Sequence, residues 1–236
     1  MIKAAIFDLD DTLYGYKALD REAGDRVKML VCKNLKVSEE RYEEAFKRGR
    51  KVTKDILGNT GASHNRMLYF QKTLEYLDCK PLSLSLQMYE TYWGTFLTQM
   101  QMRPGVRELL DGLHDKGIKI GICTDLTAHI QHRKLEALGL VDDVDCLVTS
   151  EEAGQEKPAP EIFALCLEKL GLRPAEVCFI GDDYKKDVMG AVAAGMHAVW
   201  FCPEEKTESM NSGQDYHIVK DYRQLEELLN RLADEQ

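Results

Sequence analysis

Positive charge is scarce in this 236-residue chain: 31 lysines and arginines face 40 aspartates and glutamates, a formal net charge of −9. An acidic surface repels phosphate backbones, so nucleic acid is not an expected partner. Long hydrophobic runs are also missing. No stretch approaches the roughly 18 apolar residues that a membrane span requires, so no membrane partner is expected. The opening MIKAAIFDLDD meets two acids before a signal-peptide core could form, which argues against secretion. The seven cysteines show no CxxC spacing, and several lie inside apolar stretches such as KIGIC and VCFI. They read as reduced core residues of a cytoplasmic protein. Internal repeats and low-complexity segments are absent as well.

What is present is a change of texture along the chain. MIKAAIFD is a short apolar run ending in an acid, which suits a buried strand. Residues 15–101 then read as helices only, at about 17–34, 38–57, 63–79 and 84–100, with Ser38 and Ser63 as candidate N-caps. Gly58, Asn59 and Gly61 break the pattern between the second and third helices. Four helices with short connectors predict a small bundle. Beyond Pro104, Val106, Leu109, Leu110 and Leu113 trace one face of an amphipathic helix closed by Gly117. Strands at 118–123, 144–149, 177–180, 197–201 and 216–219 then alternate with helices near 128–138, 160–170, 186–194 and 221–233. That alternation predicts an α/β fold. The expected architecture is a doubly wound, Rossmann-like parallel sheet from residues 1–14 and 102–236, with an all-helical domain inserted at 15–101.

Ligands of such sheets bind beyond the carboxyl ends of the strands. Asp8 and Asp10 follow the first strand, Thr124 and Asp125 the second, and Asp182, Asp183 and Asp187 the one at 177–180; Lys157 precedes the helix at Pro160. Residues two apart on an extended backbone point to one side, as Asp8 and Asp10 would. Clustered carboxylates repel one another and call for a hard cation, for which Mg²⁺ is the usual choice beside phosphates. Asp8 is then the candidate nucleophile, expected to be ionised near neutral pH. Mg²⁺ and Lys157 would offset its repulsion from a phosphate dianion. Asp10 would protonate the leaving oxygen, then accept a proton from the water that cleaves the aspartyl phosphate. Thr124 offers a hydroxyl to the phosphoryl oxygens. Asp183 reads either as a support behind the site's acids or as a helix-start acid favoured by the dipole.

These residues carry a resemblance. Asp8-Leu9-Asp10-Asp11-Thr12-Leu13 resembles the first motif of the haloacid dehalogenase-like (HAD) hydrolase superfamily. Thr124 after IGIC matches the second, Lys157 in KPAPEIF the third, and Asp182 and Asp187 in GDDYKKD the fourth. The resemblance implies an aspartyl-phosphate mechanism and a helical cap inserted after the first motif. It also implies Mg²⁺ held by Asp8, the Asp10 carbonyl and Asp182, with Asp187 either binding through water or orienting Lys157. Relatives commonly have Asn after the motif-two hydroxyl, where this chain has Asp125; Thr124, Asp125 and Lys157 form the candidate phosphate-binding set. Dehalogenases of the superfamily lack the acid at the Asp10 position, because a halide needs no proton. The expected activity is a Mg²⁺-dependent phosphatase acting on a small phosphorylated metabolite. A phosphomutase on the same core is the alternative, and a non-catalytic phosphate-binding module is the alternative from another class.

Within the helical segment, His64, Asn65 and Arg66 follow the glycine break, where the cap loop of relatives often faces the site; they are the candidate specificity residues. Lys47, Arg48, Arg50 and Lys51 alternate with nearby acids as a solvated face does. Tyr89, Tyr92, Trp93 and Phe96 sit at helical spacing and read as core, whereas His129 and His132 read as surface.

Overall fold

The computed structural model describes residues 1–203 and 215–234. The chain divides into two compact units, Met1–Gly15 with Gln101–Gln236, and Tyr16–Met100.

The chain opens with β1 (Ala4–Phe7), all four residues of which are buried, and then leaves the sheet for the helical unit. There α1 (Tyr16–Leu35), α2 (Glu39–Leu57), α3 (Arg66–Tyr76) and α4 (Ser85–Thr98) pack with α1 against α4 and α2 against α3. Ser38 caps α2, its side chain accepting from the Arg41 N–H, and Glu39 and Glu40 place negative charge at the positive end of the helix dipole. The third helix departs from expectation. Ser63 does not cap it; Gly61–His64 forms a separate 3₁₀ turn, and the Asn65 side chain accepts from the Met67 N–H to start α3 two residues later. Gly49 is required where α2 meets α3, because a Cβ there would lie 3.1 Å from the Thr73 nitrogen and 3.2 Å from the Tyr69 carbonyl oxygen. Tyr92, Trp93 and Phe96 are buried and in mutual ring contact, while Tyr89 is half-buried against Trp93.

After α5 (Val106–Asp115) the chain re-enters the sheet at β2 (Lys119–Thr124). Then follow α6 (Ala128–Ala137), β3 (Cys146–Thr149), the short α7 (Ser150–Ala153), α8 (Pro160–Leu170), β4 (Val177–Gly181), α9 (Met189–Ala193), β5 (His197–Phe201), β6 (Tyr216–Val219) and α10 (Tyr222–Asp234). The strands form one parallel sheet in the order β3-β2-β1-β4-β5-β6. The inner strands β1, β2 and β4 are almost wholly buried and carry near-continuous apolar runs, as central parallel strands must, whereas the edge strand β6 exposes His217. The strand order reverses at β1, so connections leave its two sides in opposite directions and open a crevice at the carboxyl ends of β1, β2 and β4. A core of Ile6, Val148, Ile162, Phe163, Phe179 and Ala198 lies on one face of the sheet. Among the described residues no helix is long and apolar enough to cross a membrane.

The helix expected at 186–194 also differs. It opens as one π-helical turn at Tyr184–Val188 before α9 begins. Asp183 caps the turn as a helix-start acid, its Oδ1 accepting from the backbone nitrogens of Lys185 and Lys186. The wide turn brings Asp187 inward, where its Oδ2 accepts from the Asp183 N–H at 3.0 Å. Such turns recur where a helix must aim a side chain at a site.

Candidate active site

Register fixes the site. Phe7 is level with Ile122 of β2 and Ile180 of β4, so the residues just beyond them, Asp8, Thr124 and Asp182, emerge at one edge of the sheet. Asp8 is buried and held by its backbone N–H to the Ile180 carbonyl at 2.8 Å. Its Oδ1 accepts from Lys157 Nζ at 2.6 Å, and its Oδ2 lies 3.3 Å from the Thr12 hydroxyl. Lys157 Nζ also donates to the Cys123 carbonyl at 3.1 Å and pairs with Asp187 Oδ1 at 2.7 Å. One ammonium thus joins the ends of β1, β2 and the π turn.

Asp8, Asp182 and Asp187 each offer a carboxylate oxygen within 4.8 Å of the others. Gly181 permits this crowding: a Cβ there would sit 2.3 Å from Asp187 Oδ2. The acids disturb one another. Burial pushes the Asp182 carboxyl up to about 7, with Asp187 and Asp11 adding to the shift. Asp8 is also raised well above the ordinary carboxylate range, first by burial and then by Asp187, Asp10 and Asp182, against the opposing pull of Lys157. Without a cation, burial and three neighbouring acids thus oppose the ionised form of Asp8, and Lys157 favours it. Burial disfavours the Lys157 ammonium, but Asp187, Asp8 and Asp125 outweigh that effect and hold its pKa well above the usual lysine value. An all-oxygen set of mutually repelling buried carboxylates fits a hard divalent cation.

Asp10 is partly exposed, with its side chain 28% accessible. Lys134 Nζ donates to both of its oxygens, at 2.6 and 2.8 Å, and the Tyr14 hydroxyl donates to Oδ1 at 2.6 Å. The Thr124 hydroxyl oxygen accepts from Gln131 Nε2 at 2.6 Å. Asp125 accepts from the Lys157 backbone N–H at 3.0 Å and from Lys186 Nζ at 2.7 Å, and Lys186 also reaches Glu156 at 3.1 Å. The backbone strains as it leaves β1 and β2: Asp11 has φ 62° and Leu126 φ 100°, values rare for residues with a Cβ.

The seven core positions singled out in the sequence (8, 10, 124, 125, 157, 182 and 187) thus gather in the α/β unit. His64, Asn65 and Arg66 belong to the helical unit. Asn65 is occupied as the cap of α3, and Arg66 is buried, donating to Asp20, the Tyr16 hydroxyl and the His64 carbonyl. Sequence reasoning missed Tyr14, Gln131, Lys134, Glu156 and Lys186. The available cue was on α6: Gln131 and Lys134 lie three apart, on the face that buries Ile130 and Leu135, and a lysine among buried positions calls for a partner.

A family profile for haloacid dehalogenase-like hydrolases matches residues 2–195. A ribulose-1,5-bisphosphate 5-phosphatase from Halopiger xanaduensis is 40% identical over 215 residues, covering 90% of each chain. A glyceraldehyde 3-phosphate phosphatase from Methanothermobacter thermautotrophicus is 30% identical, covering 97% of this chain and 100% of its own. Among solved structures, a 2-haloacid dehalogenase from Pseudomonas syringae superposes with a TM-score of 0.77 at 25% identity, over 98% of this chain and 99% of its own. A HAD phosphatase from Thermococcus onnurineus superposes at 0.71 with 27% identity, over 97% and 98%. With the profile spanning most of its length and relatives aligned nearly end to end, this chain belongs to the haloacid dehalogenase-like hydrolase family.

Proposed function

We propose that the chain is a Mg²⁺-dependent phosphatase that hydrolyses a small phosphomonoester through an acyl phosphate on Asp8. The observation that carries this reading is the buried Asp8 carboxylate, bonded to Lys157 at 2.6 Å beside Asp182 and Asp187, with a second carboxylate two residues on. Asp10 favours phosphatase over dehalogenase chemistry, since an alkoxide leaving group needs a proton and a halide does not.

Asp8, Asp182, the Asp10 carbonyl and, through water, Asp187 would hold the cation. When bound, Mg²⁺ supplies positive charge for the phosphoryl oxygens and keeps Asp8 ionised. An Asp8 carboxylate oxygen attacks phosphorus, forming an O–P bond as the bond to the leaving oxygen breaks. Asp10 gives that oxygen its proton. Lys157 and the Thr124 hydroxyl receive the phosphoryl oxygens, and Asp125 fixes the loop through the Lys157 backbone. Water then attacks phosphorus, Asp10 takes its proton, and the bond to Asp8 breaks, restoring both acids.

The helical unit serves as the cap that chooses the substrate, with His64, Asn65 and Arg66 as its candidate specificity residues. The relatives are named for a sugar bisphosphate and a triose phosphate, which supports a small phosphorylated metabolite as substrate. The acidic net charge disfavours nucleic acid. Buried thiols at Cys123, Cys146, Cys166 and Cys178 support a reducing compartment, the cytoplasm.

Phosphate release from an aryl phosphate and from a panel of sugar phosphates, with and without Mg²⁺, tests the reading. We expect Mg²⁺-dependent turnover that Asp8→Asn abolishes. Turnover that survives this substitution, or no turnover on the whole panel, would contradict it.

A further inference from the structure

We propose that Lys134 is a positioning residue that holds the Asp10 carboxylate in its working orientation for proton transfer. The inference rests on the phosphatase reading above and assigns a task to a side chain outside its motifs.

Lys134 is completely buried, yet its Nζ binds both oxygens of the partly exposed Asp10. Burying an ammonium is costly, and replacing a whole buried ion pair by apolar side chains of similar volume is often neutral or stabilising. Stability therefore does not explain why the pair as a whole is here. Lys134 does lie in the last turn of α6, where a cation suits the helix dipole, but an exposed lysine obtains that benefit without desolvation. What burial adds is direction, since the ammonium is fixed by its surroundings rather than by water. The Tyr14 hydroxyl completes the grip at Asp10 Oδ1.

The arrangement is asymmetric. Oδ1 takes two donors, from Lys134 and Tyr14, while Oδ2 takes one, from Lys134. A carboxylate oxygen has room for two partners, so Oδ2 keeps one open position, where the proton that Asp10 gives to the leaving oxygen, and later takes from the attacking water, would sit. Without Lys134, Asp10 would keep its chemistry and lose its aim. Proton transfer from a misplaced acid penalises poor leaving groups most, because good ones depart without help.

The test compares Lys134→Met and Lys134→Arg with wild type on 4-nitrophenyl phosphate and on the best alkyl phosphate of the panel, in saturating Mg²⁺. General acid–base catalysis contributes about 10²–10⁴-fold. Loss of positioning should forfeit at least about tenfold of that in kcat/KM on the alkyl ester and far less on the aryl ester, because kcat/KM reports the step in which the leaving oxygen departs. Lys134→Arg should recover part of the alkyl rate, and all rates are compared well below the thermal midpoints, because removing one partner of a buried pair is itself destabilising. An equal loss on both esters, no loss on either, or an arginine variant no better than methionine would overturn the proposal. Asp8→Asn, assayed in parallel, separates two failures. If it is inactive while Lys134→Met is unselective, only the role of Lys134 falls; if it turns over normally, the phosphatase chemistry itself is wrong.

Discussion

Asp125 shows what a single changed residue asks of its neighbours. A carboxylate beside a phosphate site adds repulsion that an amide would not. Here one oxygen of Asp125 accepts the Lys157 N–H and the other faces Lys186. Around the site the carboxylates of Asp8, Asp10, Asp125, Glu156, Asp182 and Asp187 outnumber the ammonium groups of Lys134, Lys157 and Lys186 that pair with them, an excess that a divalent cation would reduce. Lys186→Met should raise KM for phosphomonoesters about five- to tenfold, as expected from a coupling of about 1 kcal/mol between contacting groups. Asp125→Asn in the same protein should restore most of the loss, and steady-state kinetics on the four proteins of that cycle measures it. Gly181 admits no side chain at all. Gly181→Ala should displace Asp187, cost about 1–3 kcal/mol of stability and abolish the rise in thermal midpoint expected of the wild type on adding Mg²⁺. The acids and Lys157 were legible in the sequence because each follows an apolar strand or opens a helix. Lys134 and Lys186 were not, since a lysine on a helix reads as solvent-facing until the neighbouring elements are in place.

Helices and strands were legible wherever one period dominated. The apolar runs of β1, β2 and β4 and the stripe of α5 needed no tertiary information. The sequence missed where local side chains override period. Asn65 competes with Ser63 for the start of α3 and wins because the glycine break before it folds into its own 3₁₀ turn. The π turn before α9 depends on Asp183 capping it and on Asp187 pairing with Lys157 from a distant loop, a contact that no local window contains. α9 also packs unusually close: a Cβ on Gly190 would lie 2.4 Å from the Phe163 ring and 3.3 Å from Pro158. Gly190→Ala should therefore overpack the α8–α9 contact and destabilise the protein by about 1–3 kcal/mol, read as a lower urea midpoint with an unchanged slope.

At the scale of the whole molecule, stability, proton binding and cation binding are linked through the acids. Asp182 titrates at about 7 in the fold against an ordinary value of 3.8, chiefly through burial, and Asp8 and Asp187 are raised as well. The folded cation-free protein thus holds protons that the unfolded chain has released, so its stability falls as pH rises from about 4 to about 7. A divalent cation displaces those protons and replaces their effect. The rise in thermal midpoint on adding Mg²⁺ should therefore be larger at pH 8 than at pH 5; an equal or smaller rise at pH 8 would contradict the linkage. The two-unit division, Tyr16–Met100 against the rest, coincides with a texture visible in the sequence, because a long helical stretch interrupts a βα alternation. The substrate was not legible, because helical periodicity does not encode side-chain geometry.

In the proposed reaction Asp8 carries the phosphoryl group. Rapid acid quenching of the enzyme during turnover of a ³²P-labelled phosphomonoester, followed by proteolysis and peptide mapping, tests it most directly. A hydroxylamine-labile label should appear on the peptide that contains Asp8, and none in Asp8→Asn. Full turnover with no label on that peptide, or a label elsewhere, would contradict it.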